Sequence, residues 1–157
     1  MNPEDAARLR ELLLGQRLIA LGVVVEGEPV VGLLPYAAAS DRRALYVQAS
    51  TLARHSRGLV AGARWSGLVH EPDSESLDPL RVPRLLLDGI VEPLTGPHAE
   101  FAAAARAFLT RFPEAAATLQ LADFGLFRLE LHGGRMVLGF GQAINLSRGH
   151  FEALTAS

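Results

Sequence analysis

Apolar residues recur at helical spacing over residues 3–14, where Ala6, Leu9 and Leu13 share a face. Glu4 and Asp5 stand in the first turn, where the helix dipole favours carboxylates. Two continuous apolar runs follow, residues 18–25 and 30–36, and the intervening Glu26-Gly27-Glu28 predicts a hairpin. Both alternating faces of these strands are apolar. Each therefore needs cover on two sides, from the interior of a closed barrel on one and from a helix or a second subunit on the other. A third strand is expected over residues 44–48, after the polar loop Ser40-Asp41-Arg42-Arg43.

Ser50 or Thr51 suits the N-cap of a helix over residues 52–60, with Gly62 just past its end. Strands are expected over residues 65–70 and 84–94, the second interrupted at Gly89, where a bulge fits. The clearest helical stripe is Phe101, Ala105, Phe108 and Phe112 within residues 97–112, with Pro97 in the first turn and a shorter helix after Pro113. The chain then predicts a hairpin of residues 124–131 and 135–139, turning at His132-Gly133-Gly134. No internal repeat, low-complexity tract or linker interrupts this order. The expectation is one α+β domain over residues 1–157, a small closed antiparallel barrel with flanking helices.

Composition narrows the function classes. At 157 residues, 49% hydrophobic and 20% charged, the chain has apolar surface enough for a core without staples. It has no cysteine, which removes disulfides, thiolate catalysis and cysteine-based metal sites, and fits a reducing cytoplasm. A net charge of −2 argues against nucleic acid as a partner. All 15 basic residues are arginine, which excludes Schiff-base chemistry and a P-loop lysine. Residues 18–25 are too few to span a membrane and the N-terminus does not have the character of a signal peptide, so a cytoplasmic protein without a membrane partner is expected.

Most catalytic signatures are absent. Gly139-Phe140-Gly141 lacks the helix and third glycine of a dinucleotide fingerprint and reads as a bend in an edge strand. Glu71, Asp73, Glu75 and Asp78 lack calcium-loop spacing, so a solvated loop and no metal are expected. His70 and His132 fall at strand ends, His98 in a helix first turn and His150 near the C-terminus; all four read as surface residues. The exception is the segment from Ser50 to Arg57, STLARHSR, which gathers three hydroxyls, two guanidiniums and an imidazole at a strand-to-helix junction. That set suits a phosphate monoester, and it equally suits a capped helix with a solvated basic face.

Five segments, taken together and in order, carry a resemblance. They are PVVGLLPY from Pro29, STLARHSRGL from Ser50, SGLVHEP from Ser66, RLLLDG from Arg84 and FGLFRLELHGGRMVLGFGQA from Phe124. Across residues 29–143 the chain resembles the FMN-binding split-barrel family related to pyridoxamine 5'-phosphate oxidase, in particular its haem-utilisation-like branch. The resemblance implies a split β-barrel, a homodimer, and FMN in a cleft between subunits. It implies that Arg54, His55, Ser56 and Arg57 surround the FMN phosphate and that Gln48, Ala49 and Ser50 border the ribityl chain. Gly32, Leu33, Leu34 and Pro35 would pass beside the isoalloxazine, and Arg84 would face its pyrimidine side.

The chain departs from the branch at Gly32, where serine is usual, at Ser56, where threonine is usual, and at Gly58, where asparagine is usual. Haem-degrading members also carry more chain after the GFG segment, with a haem-contacting histidine; His150 is a poor substitute, so haem degradation is not expected. The activity implied is an FMN-dependent oxidoreductase with hydride transfer to flavin N5, its small-molecule substrate unnamed and no catalytic side chain assigned. The alternative is a dimeric flavin- or haem-binding protein without turnover.

Overall fold

A computed structural model describes residues 1–76 and 78–155; residues 77, 156 and 157 lie outside it. Helix α1 spans Pro3–Gly15, with Asn2 as N-cap: its side chain accepts a hydrogen bond from the Asp5 amide at 2.7 Å. Seven antiparallel strands follow, β1 (Leu18–Val25), β2 (Glu28–Ala38), β3 (Ala44–Ser50), β4 (Arg64–His70), β5 (Arg84–Leu94), β6 (Phe124–Gly139) and β7 (Gln142–Ser147). Helix α2 (Phe101–Arg111) lies between β5 and β6, and α3 (Arg148–Glu152) follows β7.

Pairing runs β3-β2-β1-β4-β5-β6-β7, and a further β3–β6 ladder closes the first six strands into a barrel with β7 at its edge. The fold is the expected α+β split barrel. Its β1–β2 turn has positive φ at both Glu26 (53°) and Gly27 (81°), the geometry that matches strand twist in a two-residue hairpin. The bulge expected at Gly89 is present: register shifts between Asp88 and Gly89, where a Cβ would stand 1.6 Å from the Glu130 carbonyl oxygen.

The barrel interior is filled by Leu21, Leu45, Val47, Leu85, Leu129 and their neighbours, and α1 adds Leu9, Leu12 and Leu13 to the same cluster. Tyr36 ties the helix to the sheet by donating its hydroxyl to the Leu13 carbonyl at 2.7 Å. A second cluster lies outside the barrel, where Ala104, Phe108 and Phe112 cover Ala44, Tyr46 and Leu126. Strand β3 is thereby buried on both faces, as a two-sided apolar strand requires. On β1 and β2 the outward residues Val24, Val31 and Leu33 remain exposed in the single chain.

Several expected elements differ. Residues 52–60 do not form a regular helix; a five-residue 3-10 helix, Arg54–Gly58, stands there with no side-chain cap. It packs on β1 so closely that a Cβ on Gly58 would stand 2.8 Å from Val23 Cβ and 2.9 Å from the Val24 carbonyl oxygen. The expected hairpin at residues 132–134 is absent, because β6 runs unbroken through Gly133 and Gly134; His132 is therefore mid-strand and not at a strand end. The turn comes later, at Phe140-Gly141, so GFG joins β6 to β7 and is not a bend within one strand. Helix α2 begins at Phe101, which leaves Pro97 and His98 in the preceding turn, and the segments after Pro113 are 3-10 turns.

Candidate functional site

The barrel is split between β2 and β3. These strands pair only from Tyr36↔Val47 to Ala38↔Leu45 and then diverge. The Tyr36 amide donates to the Arg17 carbonyl at 3.1 Å, toward β1, so the backbone of position 35 faces β3. Proline there has no N–H to continue the ladder. Gln48, Ala49 and Ser50 take their register from β6 alone.

A cavity of about 570 Å³ opens at this split. Leu34 and Pro35 form one side and Gln48, Ala49 and Ser50 another. His55, Phe108, Phe112, Ala115, Thr118 and Phe124 also line it. The lining is mainly carbon. At the rim Arg17 pairs with Glu114 at 3.2 Å and stacks over the Phe112 ring at 5.1 Å.

Two polar atoms in the wall, one on Gln48 and one on His55, have no hydrogen-bond partner among the described residues. Gln48 is 7% exposed, and Thr118 Oγ1 lies 3.2 Å from its Oε1 and 3.0 Å from the Ala115 carbonyl oxygen. A hydroxyl has one proton for these two acceptors, and turning the amide lets Nε2 donate to Oγ1 while Oγ1 donates to Ala115. In either orientation one end of the Gln48 amide is unpartnered. His55 Nε2 is likewise closed from solvent without a partner, and burial lowers the imidazole pKa from its usual 6.5, favouring the neutral ring.

The structure thus brings Leu34, Pro35, Gln48, Ala49, Ser50 and His55 to one cavity. Gly32 lies under the His55 ring, where a Cβ would meet Nδ1 at 2.5 Å. Ser56 spends its hydroxyl on the Ser50 carbonyl at 2.5 Å. Arg54 and Arg57 are exposed and form no ion pair among the described residues. Leu33 faces outward and borders a second cavity. Arg84 borders neither: its guanidinium donates to the carbonyls of Leu80 at 3.3 Å and Val82 at 3.0 Å.

That second cavity, about 410 Å³, is bounded by Arg17 and Leu18, which it shares with the first, and by Ala20, Leu33, Leu68, His70 and Pro72. Arg17 and the Phe108–Thr118 wall were not singled out by sequence. The phenylalanine stripe carries the signal of a core helix, and nothing in the pattern says that its far end roofs a cavity.

No family model matches the sequence. "Heme oxygenase HutZ" of Vibrio cholerae is 28% identical over 141 residues, 88% of this chain and 79% of that protein. A solved "heme binding protein" from Mycobacterium smegmatis superposes with a TM-score of 0.83 at 27% identity over 98% of this chain, which spans only 62% of that longer chain. A Clostridium acetobutylicum protein related to general stress protein 26, of the pyridoxinephosphate oxidase family, shares the fold at a TM-score of 0.69 and 14% identity.

Proposed function

We propose that this chain, a split-barrel protein of the family related to pyridoxamine 5'-phosphate oxidase on its haem-utilisation-like side, is a homodimeric haem-binding protein. The observation that carries the reading is the pair of adjoining cavities, about 570 and 410 Å³, with largely apolar walls and the single cation Arg17 between them. A broad apolar macrocycle with carboxylate substituents matches that chemistry: carbon walls exclude water from the ring, and a guanidinium pairs with a carboxylate. Bound haem would supply a redox-active iron and a chromophore. The chain would supply the apolar enclosure, the cation and the neutral His55 imidazole in the wall.

Dimerisation follows from the outward face of β1 and β2. Val31 is 71% and Leu33 66% exposed; the register sets Leu33 beside Ala20 and Leu68, and Val31 beside Gly22 and Ser66. Such a patch costs solubility unless it is covered. A second copy of the chain provides a matching surface by symmetry.

An FMN reading keeps one specific support, the exposed guanidiniums of Arg54 and Arg57, which flank the cavity-lining His55 in sequence, line neither cavity themselves and form no ion pair among the described residues. Of the four side chains expected around a phosphate, these two are the ones still available, since Ser56 is engaged and His55 Nε2 is sealed. Parallel titrations with haemin and with FMN decide between them. Saturable growth of a Soret band with one haem per chain is expected. Saturation by FMN with no response to haemin overturns the haem reading.

A further inference from the structure

Haem held by a protein needs an axial ligand, and this chain offers few. It has no cysteine. Met136 is fully buried, and both tyrosine hydroxyls are engaged, Tyr36 on the Leu13 carbonyl and Tyr46 on Glu100. Burial raises both phenols well above their usual value, away from the phenolate that binds iron.

The histidines differ in which nitrogen keeps a lone pair. His98 uses both: Nδ1 accepts from the Glu100 amide at 3.1 Å and Nε2 faces Glu92 Oε1 at 3.1 Å. The His150 Nδ1 accepts from the Ser147 amide at 2.9 Å, so in the neutral ring the proton sits on Nε2. His55 Nε2 is sealed in the wall. His132 lies beside Glu130 on β6 and borders neither cavity.

His70, at the end of β4, is different. Its Nδ1 lies 2.7 Å from the Glu71 carbonyl oxygen, which can only accept. The proton is therefore on Nδ1 and the lone pair on Nε2, the tautomer that a carbonyl partner imposes on metal-binding histidines. The exposed ring lines the second cavity together with Ala20, Leu33, Leu68 and Arg17.

We propose that His70 Nε2 would ligate the iron of haem bound at the second cavity, and that Arg17 would pair with a propionate carboxylate. The assignment rests on the haem reading above and adds to it the ligand and the place. It uses a histidine on the barrel itself, within the described residues.

The test is titration of the full-length protein and of His70→Ala with haemin, read by absorption and electron paramagnetic resonance, and with metal-free protoporphyrin IX, read by fluorescence. Wild type should show the signature of nitrogen-ligated ferric iron. The variant should lose it and bind haemin roughly tenfold or more weakly. Added imidazole should restore the signature, and protoporphyrin binding should be the same in both proteins. His70→Gln, a polar replacement at an exposed position, should behave like the alanine variant and guards against a folding defect.

A His70→Ala protein that keeps the wild-type iron signature overturns the assignment. So does loss of the signature in His132→Ala with His70→Ala unaffected, or an equal loss of porphyrin and haemin binding, which would make His70 part of the cavity wall alone. Wild type that leaves the haemin spectrum unchanged overturns the haem reading and the assignment together.

Discussion

Gly32 on β2 and His55 in the 3-10 helix occupy one space: a Cβ on the glycine would stand 2.5 Å from Nδ1 and 2.7 Å from Cγ of the imidazole. The absent side chain is what allows the ring to lie against the strand and line the cavity at the split. Gly58, at the other end of the same short helix, does this against Val23. The two glycine departures from the resembled branch thus serve one contact, the close packing of residues 54–58 on β1 and β2.

Gly32→Ser should destabilise the protein by about 1–3 kcal/mol through overpacking. Combined with His55→Ala, most of that loss should disappear. Urea denaturation of the two single variants and the double variant gives the coupling directly. Additive losses would mean that the imidazole is not what the serine displaces.

Burial lowers the His55 pKa in the folded state below the ordinary 6.5 of the unfolded chain. Above both values the ring is neutral in both states and contributes no pH dependence. As pH falls below 6.5 the unfolded state binds a proton that the folded state does not, so stability falls until pH passes the folded pKa. Compared with His55→Asn, wild type should lose additional stability over that window. Parallel stability curves for the two proteins would place the imidazole in water.

The outward apolar face of β1 and β2 predicts the assembly. Val31→Glu combined with Leu33→Glu should give a folded monomer, with far-UV circular dichroism unchanged, where light scattering of wild type should give a dimer. Both positions point away from the barrel interior, so the charges cost the fold little. A monomeric wild type at micromolar concentration would remove the interface.

The succession of the first five strands along the chain, the bulge at Gly89 and helix α1 were legible because each has a local signature: apolar runs, a glycine inside a strand, an acidic first turn. The end of the barrel was not. Gly133-Gly134 has the composition of a turn, yet a Cβ on Gly134 would stand 2.1 Å from the Leu86 carbonyl oxygen and one on Gly133 3.1 Å from that of Leu146. These glycines are required by close backbone approach where β6 pairs with β5 and β7 at once. Glycine serves tight turns and crowded strands alike, so one sequence does not separate them. Residues 52–60 misled for a related reason: hydroxyls before Leu52 suggest a cap, whereas Ser56 bonding back to Ser50 and Gly58 pressed on Val23 are tertiary facts. Of the site, the β3 and 3-10 residues were legible as a polar cluster. Arg17 was not, because its role comes from the phenylalanine and glutamate that α2 and the following turn bring to it.

That placement of Arg17 makes the last prediction. Glu114 already supplies a carboxylate to its guanidinium, 3.2 Å away, and the pair is exposed, 63% at Arg17 and 67% at Glu114. Such a pair is worth roughly 0–1 kcal/mol, so a ligand carboxylate can displace it. Arg17→Met keeps the aliphatic contact with Phe112 and removes the charge; haemin affinity should fall about fivefold, or ~1 kcal/mol. The dimethyl ester of haemin, whose propionates are capped, should bind both proteins alike. Glu114→Gln removes the competing carboxylate and should act in the opposite sense, tightening haemin and leaving the ester unchanged. If acid and ester respond equally to Arg17→Met, the side chain contributes through its stacking on Phe112, and the propionates are held elsewhere.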